Sequence, residues 1–261
     1  MNFQQRIQEY EKSYDLKIIN RLPIIVSCDI RSAHRVTKKL LRPYCDDFLD
    51  IMGKSMLNSI MEIDGAVFGY HFSDEISFII NSNSDDPWYQ NRIQKLTSIV
   101  SSILSINFFK NLQKGQIDLD GDAIFAINVF PVPTLSEAVN YLILKQQECF
   151  QYALTHASLY EFNKLYGKDA ANKLLLNKNN NEKLDLLFNE CNIDFDKDYS
   201  LHFRRGIASY KIPRLNEIED IIKYKWILDY NIPTFITDKN FISNILYSGY
   251  DVVRVSRDLN T

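Results

Sequence analysis

With 261 residues, 46% of them hydrophobic and 24% charged, the chain has an ordinary globular composition and the length for one large domain or a domain with an added lobe. A net charge of −3 excludes nucleic-acid binding through bulk charge, so such a partner would need a local basic patch. The four widely spaced cysteines (Cys28, Cys45, Cys149 and Cys191) form no CxxC pair, which argues against a disulfide or zinc framework and fits a reducing compartment.

The polar start, MNFQQRIQEYEKSY, reads as a short amphipathic helix over residues 3–13 rather than a signal peptide, and no apolar run approaches a membrane span. The expected location is cytoplasmic, with an organelle matrix as the alternative. Residues 22–28 (LPIIVSC) read as a buried strand, and Asp29 closes that run. Apolar residues spaced by three and four predict a helix over 47–61. Residues 66–72 and 76–80 form two strands around Ser73-Asp74-Glu75, a hairpin whose turn holds two adjacent acids. Residues 88–112 read as a long helix, 124–129 as a strand and 136–157 as a second long helix. Beyond residue 160, the Asn-rich NKNNNEK (177–183) reads as a solvated loop, 181–191 as a short helix, and RRGIASYK (204–211) as a basic turn leading into a strand.

The order strand, helix, strand, strand, helix, strand predicts an α+β, ferredoxin-like (split βαβ) fold. Its antiparallel sheet would carry two helices on one face and leave the other for a ligand or another lobe. No clear linker interrupts the chain, so residues 1–157 and a C-terminal extension, 158–261, are expected to pack as one compact unit. In this topology the first and third strands are central neighbours, which brings Asp29 and Asp74 close together.

Two aspartates at neighbouring strand ends suit a magnesium pair, since hard divalent ions take carboxylate oxygens and substrate phosphates. The same residues would also serve as a plain polar turn and a loop cap. His34 and Arg35 suit a triphosphate, or simply a solvated surface. Lys38, Lys39, Arg42, Arg92 and Lys95 are further cations that either reach phosphate or face water. Arg204, Arg205 and Lys211 beside Gly206 suit phosphate as well as they suit an ordinary turn. Phe108, Phe109, Tyr141, Phe150 and Tyr152 sit at helical spacing, as core residues do. No P-loop, Rossmann fingerprint or nucleophile–histidine arrangement occurs.

Seven segments in order resemble the tRNA(His) guanylyltransferase family, closest to its bacterial and archaeal guanylyltransferase-like branch of 3′–5′ nucleotide polymerases. They are RIQEYEKSY, LPIIVSCDIRSAHRVTKKLLRPYCDD, GYHFSDEISFII, WYQNRIQKLTSIVSSI, NYLILKQQECF, FRRGIASYK and IPTFITDKNFI. The resemblance implies a polymerase palm that extends or repairs the 5′ end of tRNA or another RNA. It implies two Mg2+ ions on Asp29, Asp74 and the backbone carbonyl of Ile30, with Glu75 orienting Asp74 or sharing a metal. ATP or GTP would activate the RNA 5′ end before attack by an incoming NTP. Arg31, Ser32, His34, Arg42, Ser73 and Lys95, with Ile30, become the implied nucleotide and triphosphate contacts, and the assembly a homotetramer without a membrane.

The sequence departs from that family's pattern at several places. Asp-Gly becomes Asp29-Ile30, which predicts crowding by a β-branched side chain. Ser27 stands where Arg is common, Phe125-Ala126-Ile127-Asn128 replaces FDAR, and Gln151-Tyr152 replaces Arg-Asn. These changes touch positions expected to face RNA or triphosphate, while the carboxylates stay. They open a second reading, the same palm acting on a different acceptor such as a nucleotide or non-tRNA RNA. A third is a non-catalytic RNA-binding scaffold.

Overall fold

The computed structural model describes residues 1–81, 84–115, 117–216, 221–248 and 253–254. Its centre is a seven-stranded antiparallel sheet in the order β4-β1-β3-β2-β5-β6-β7. The strands are β1 (Ile24–Ile30), β2 (Ala66–Phe72), β3 (Glu75–Ile80), β4 (Phe125–Pro131), β5 (Ile207–Asn216), β6 (Ile221–Asp229) and β7 (Val253–Arg254). The first four, with their two connecting helices, give the ferredoxin-like arrangement expected from the sequence. The β2–β3 hairpin tightens to a two-residue turn, Ser73-Asp74. Phe72 pairs with Glu75, and Ser73 takes the left-handed backbone (φ 52°) that such turns demand. Glu75 is therefore a strand residue, and Asp29 lies inside β1 rather than in a loop beyond it.

Alternation along β1 and β3 sorts their side chains between two cores. Ile24, Val26, Cys28 and Ile30, with Ile76, Phe78 and Ile80, pack with buried residues of α3 (Asp46–Ile60) and α4 (Ile93–Lys114). Ile25 and Ile79 point the other way, where Phe68, Tyr70 and Phe72 join α5 (Leu135–Tyr166) and α10 (Lys239–Tyr247). The face expected to receive a ligand or a lobe thus carries a helical lobe. Helix α5 begins at Thr134, whose side chain caps Glu137, and runs unbroken through residue 157 to Gly167, which takes φ 80°. Its second half builds a third core with α6 (Lys168–Leu175), α7 (Asn180–Cys191), α8 (Phe195–Asp198) and α9 (Leu201–Arg205). A short helix, α1 (Phe3–Lys12), opens the chain, and α2 (Ala33–Val36) follows β1.

Three local expectations change. Residues 88–112 are not one helix: a 3-10 turn, Trp88–Asn91, precedes α4, with positive φ at Tyr89, Gln90 and Asn91. Here the N-terminal segment pairs with the chain through Ile18 N–Asn91 O and Ile93 N–Leu16 O, and that tertiary bridge overrides helical continuity. The 177–183 loop ends early because Asn179 and Glu182 form a reciprocal cap that starts α7 at Asn180. Arg204 and Arg205 end α9 rather than forming a turn, and the bend falls at Gly206. A β-carbon there would sit 2.5 Å from the Tyr70 hydroxyl, at a φ of +80° that favours glycine.

His71 of β2 is a buried titratable group of the central sheet. Its Nε2 lies 3.1 Å from the Leu49 carbonyl, while Nδ1 is buried without a hydrogen-bond partner. Burial pulls its pKa from 6.5 to about 4. The unfolded chain therefore binds the extra proton first, and this stabilisation, full above pH 6.5, fades as pH falls toward 4. A shift of that size is worth roughly 3 kcal/mol. Urea unfolding between pH 7 and pH 4 should show the wild type losing about that much more stability than His71→Gln; parallel pH profiles would refute the assignment.

Candidate active site

The β1–β3 register sets Asp29 directly across from Glu75. Alternation puts both on the α5 face, in line with Ile25 and Ser27 on one strand and Ser77 and Ile79 on the other. Asp74 follows in the turn, its Oδ1 accepting a 2.9 Å hydrogen bond from the Ser73 hydroxyl. Burial pushes the Asp74 pKa up; the Ser73 hydroxyl opposes this, and the charge of Asp29 adds to it. Asp29 pairs with Glu75, the residue after Asp74, so the register brings the two aspartates to the same end of the sheet. Among the described residues neither Asp29 nor Asp74 has an ion-pair partner.

Glu75 is different. Lys145 of α5 meets its carboxylate at 2.6 Å and that of Glu148 at 2.9 Å, with side-chain exposures of 16% for Lys145 and 21% for Glu75. Burial would pull the Lys145 pKa down, but its bonds to Glu75 and Glu148 hold it above the ordinary lysine value. The Ser27 hydroxyl reaches Glu75 at 3.4 Å, and Ser77 shares a 2.9 Å bond with Tyr141, whose ring lies beneath Lys145. Glu75 is therefore neutralised within the chain, whereas Asp29 and Asp74 are not. Two uncompensated carboxylates at one point fit a hard divalent cation, with the remaining ligands coming from carbonyls, water or phosphate. Among the described residues no group of three or more His, Cys, Asp or Glu side chains is placed to hold a metal without such help.

Beside Asp74 opens a cavity of about 630 Å³. Its apolar wall includes Phe72, Tyr152 and the stacked pair Tyr44–Phe203, whose ring centroids lie 4.1 Å apart. Its polar rim includes His34, Arg42, Ser73, His156 and Lys168. Tyr152 tilts over His156 at 4.1 Å and edges onto Phe72 at 6.4 Å. Burial lowers the His156 pKa, and the nearby charge of Arg42 lowers it further. His202, also on the wall, has its Nε2 2.7 Å from Asp46 Oδ1.

Of the residues singled out in the sequence, His34, Arg42, Ser73 and Asp74 line this cavity. Asp29 stands beside Asp74, and Glu75 is held on Lys145. Arg31 and Ser32 are exposed in the loop after β1 and do not line it. Ile30 is the last β1 residue; its side chain is buried on the α3–α4 face, away from the carboxylates, so the expected crowding does not arise there. Lys95 lies in the first turn of α4, which starts beyond the Ile24–Ile80 end of the sheet, the end opposite Asp29. A seven-residue strand spans about 20 Å, which separates Lys95 from the site within one chain. Of the basic cluster, Arg204 is tied to Asp196 and to the Tyr199 carbonyl, and Lys211 lies over the Trp226 ring. Lys145, His156 and Lys168 were missed as site residues; Lys145 lies within the NYLILKQQECF segment without being singled out there, and His156 and Lys168 carry no local motif and are brought in by the packing of α5 and α6.

The geometry can be set beside known proteins. The family model described as tRNAHis guanylyltransferase matches residues 4–133. The chain is 25% identical over 212 residues to tRNA(His) guanylyltransferase 2 of Arabidopsis thaliana, and 25% identical over 225 residues to tRNA(His) guanylyltransferase 1 of the same plant. Those alignments cover 78% and 83% of this chain but 38% of each relative, so the chain spans well under half the length of these curated relatives. Its fold is similar to a bacterial tRNA(His) guanylyltransferase-like protein solved in complex with ATP, with a TM-score of 0.79 at 24% identity, covering 95% of this chain and 100% of that one.

The Lys145–Glu75 pair yields a direct test. Removing the lysine leaves Glu75 uncompensated beside Asp29, which is costly where the pair is largely buried. Lys145→Met should destabilise the fold by about 2 kcal/mol, and adding Glu75→Gln should recover most of that loss. Urea unfolding of the two single variants and the double variant measures it; additive losses would show that the pair holds nothing.

Proposed function

We propose, from the premise that the chain belongs to the tRNA(His) guanylyltransferase family, that it is a magnesium-dependent nucleotidyltransferase adding nucleotides to RNA 5′ ends in the 3′–5′ direction. The observation that carries this reading is the pair Asp29 and Asp74, uncompensated by any cation among the described residues, beside a cavity rimmed with basic side chains. In it, Asp29 and Asp74 would hold magnesium with the Ile30 carbonyl, and a metal held there would supply charge neutralisation for the phosphoryl group and its leaving group.

The chain's own residues do the rest by position. Arg42, His34 and Lys168 receive the negative charge of a triphosphate at the mouth of the cavity, and Ser73 offers its hydroxyl. The aromatic wall of Tyr44, Phe203, Phe72 and Tyr152 takes a base and excludes water, which strengthens every polar contact inside. Glu75, fixed by Lys145, keeps the strand end rigid so that Asp29 and Asp74 stay in place. Bonding of a triphosphate by positioning and charge, without a covalent enzyme intermediate, suits the absence of a nucleophile–base pair in the sequence.

A second reading, the same palm with an acceptor other than tRNA, draws on one observation. Tyr152, where the family's pattern has Asn, lines the cavity wall and packs on His156. A polar side chain available for an RNA contact is thereby exchanged for an apolar surface.

The decisive assay supplies a tRNA lacking its first nucleotide, bearing a 5′-monophosphate or 5′-triphosphate, with each NTP and magnesium, and follows extension by gel. Extension by the base complementary to the opposite strand is expected; NTP consumption without extension would transfer the proposal to another acceptor, and the absence of both extension and NTP consumption would overturn it. Asp29→Asn and Asp74→Asn should each lower turnover at least about a hundredfold while leaving the unfolding midpoint near that of the wild type. Near-normal turnover in either variant would remove the metal assignment. Because burial raises the Asp74 pKa, protons and magnesium compete for it, and the magnesium concentration for half-maximal activity should rise as pH falls toward that pKa.

A further inference from the structure

Helix α5 separates the cavity beside Asp74 from a second one of about 500 Å³. Along α5, Cys149, Tyr152 and His156 face the first, and Gln147, Phe150 and Gln151 face the second. Helix α9 divides in the same way: His202 and Phe203 line the first cavity, Arg204 and Arg205 the second. The second cavity is closed by the segment after β6, through Thr234 and Ile236, and by Asn180 at the start of α7.

Its walls are held by a buried amide. Gln146 donates to the Arg205 carbonyl at 3.3 Å and to the Pro233 carbonyl at 3.0 Å, and accepts from the Phe235 N–H at 2.6 Å. This one side chain ties α9, α5 and the 231–236 segment together before any ligand arrives.

The charge of the cavity is small and localised. Arg204 is engaged by Asp196 and by the Tyr199 carbonyl, so these two charges cancel. Arg205 is half-buried, lines the cavity, and makes a single long contact of 3.5 Å to the Ile232 carbonyl; among the described residues it has no acidic partner. A guanidinium has five N–H donors in a planar fork matched to an oxyanion. The other polar lining groups are neutral: the amides of Gln147, Gln151 and Asn180 and the hydroxyl of Thr234. Phe150 adds an aromatic ring, itself edged by Phe195 at 5.8 Å.

We propose that this second cavity is a subsite for one nucleotide unit, with Arg205 taking its phosphate and the amides and Phe150 taking its base. One uncompensated positive charge matches a single phosphate, whereas a triphosphate would be left largely unneutralised. Amides offer a donor and an acceptor in one plane, as a base edge does, and an aromatic ring beside an arginine is a common platform for a single nucleotide. The volume falls in the range of small-molecule sites. The unit is either a free nucleotide or one nucleotide of a single strand; the chemistry is shared. The inference does not depend on the metal reading, because no residue of the second cavity belongs to the carboxylate site.

The test is binding of AMP to the full-length chain in EDTA, by isothermal titration calorimetry. Saturable binding is expected, weaker for inorganic phosphate or adenosine alone. Arg205→Gln should weaken it at least about tenfold, the cost of one charged hydrogen-bonded contact. Gln151→Glu, an exposed change that adds a negative charge to the cavity without touching the core, should do the same. Asp74→Asn should leave it unchanged. A single-stranded oligoadenylate binding much more tightly than AMP identifies a strand as the natural source, and equal affinity a free nucleotide. Absence of binding by both, indifference to Arg205→Gln and Gln151→Glu in folded protein, or loss in Asp74→Asn would each overturn the proposal. Failure of 5′-extension with AMP binding intact would fall on the function proposed above and leave this subsite standing.

Discussion

Two central strands that set Asp29 across from Glu75 must offset that charge, and most of the molecule's arrangement follows from how they do it. A slip of one residue between β1 and β3 would turn the carboxylates into the α3–α4 core and Cys28 and Ile76 out of it. The apolar residues on both faces therefore fix the register, and the register fixes the acids. With Asp74 in the adjoining turn, three carboxylates meet at one sheet end. A single lysine from another helix answers one of them. Of the remaining two, Asp74 faces a cavity, where burial, and after it the charge of Asp29, raises its proton affinity.

Helix α5 is the element through which this local charge problem is connected to the rest. Its residues at successive angles do different work: Lys145 reaches Glu75, Gln146 braces the C-terminal segment, and Cys149, Tyr152 and His156 build the cavity wall. Its second half carries the third core. A helix spread over three environments cannot show one clean apolar stripe. That is why its packing partners are hard to read from spacing, although its existence is not.

The βαββαβ order was legible because each element has a strong local signal: Ile and Val runs for β1 and β3, threefold and fourfold spacing in α3, and a short polar turn between β2 and β3. The neighbourhood of Asp29 and Asp74 then followed from topology alone. Less visible were features set by distant contacts. The kink at Tyr89–Asn91 depends on the Leu16–Ile18 segment, and the place of Lys95 on which end of the sheet α4 begins. The start of α7 is another matter, since Asn179 and Glu182 stand at capping-box spacing in the sequence. Lys145 lies within a family-like segment but is not marked there as a site residue, and His156 and Lys168 gave no comparable signal. All three are polar residues on helices, and such residues usually face water.

Three of the positions that depart from the family pattern gather around α5. Ser27 bonds Glu75 on the β1 face, Gln151 lines the second cavity, and Tyr152 lines the first. All three flank or belong to α5, and all three replace groups that are more polar or more cationic. The consequence for Asp74 is physical. An aromatic ring packed on Phe72 and His156 leaves less room for water than an amide would. In a drier site a carboxylate resists ionisation, yet once ionised it attracts a cation more strongly, because the same low dielectric acts on both terms. Substituting Tyr for Asn therefore need not weaken a metal site even as it removes a polar contact. Retention of the aspartates and loss of the surrounding polar groups are compatible changes, with the first governing charge neutralisation and the second governing what lies against the cavity wall.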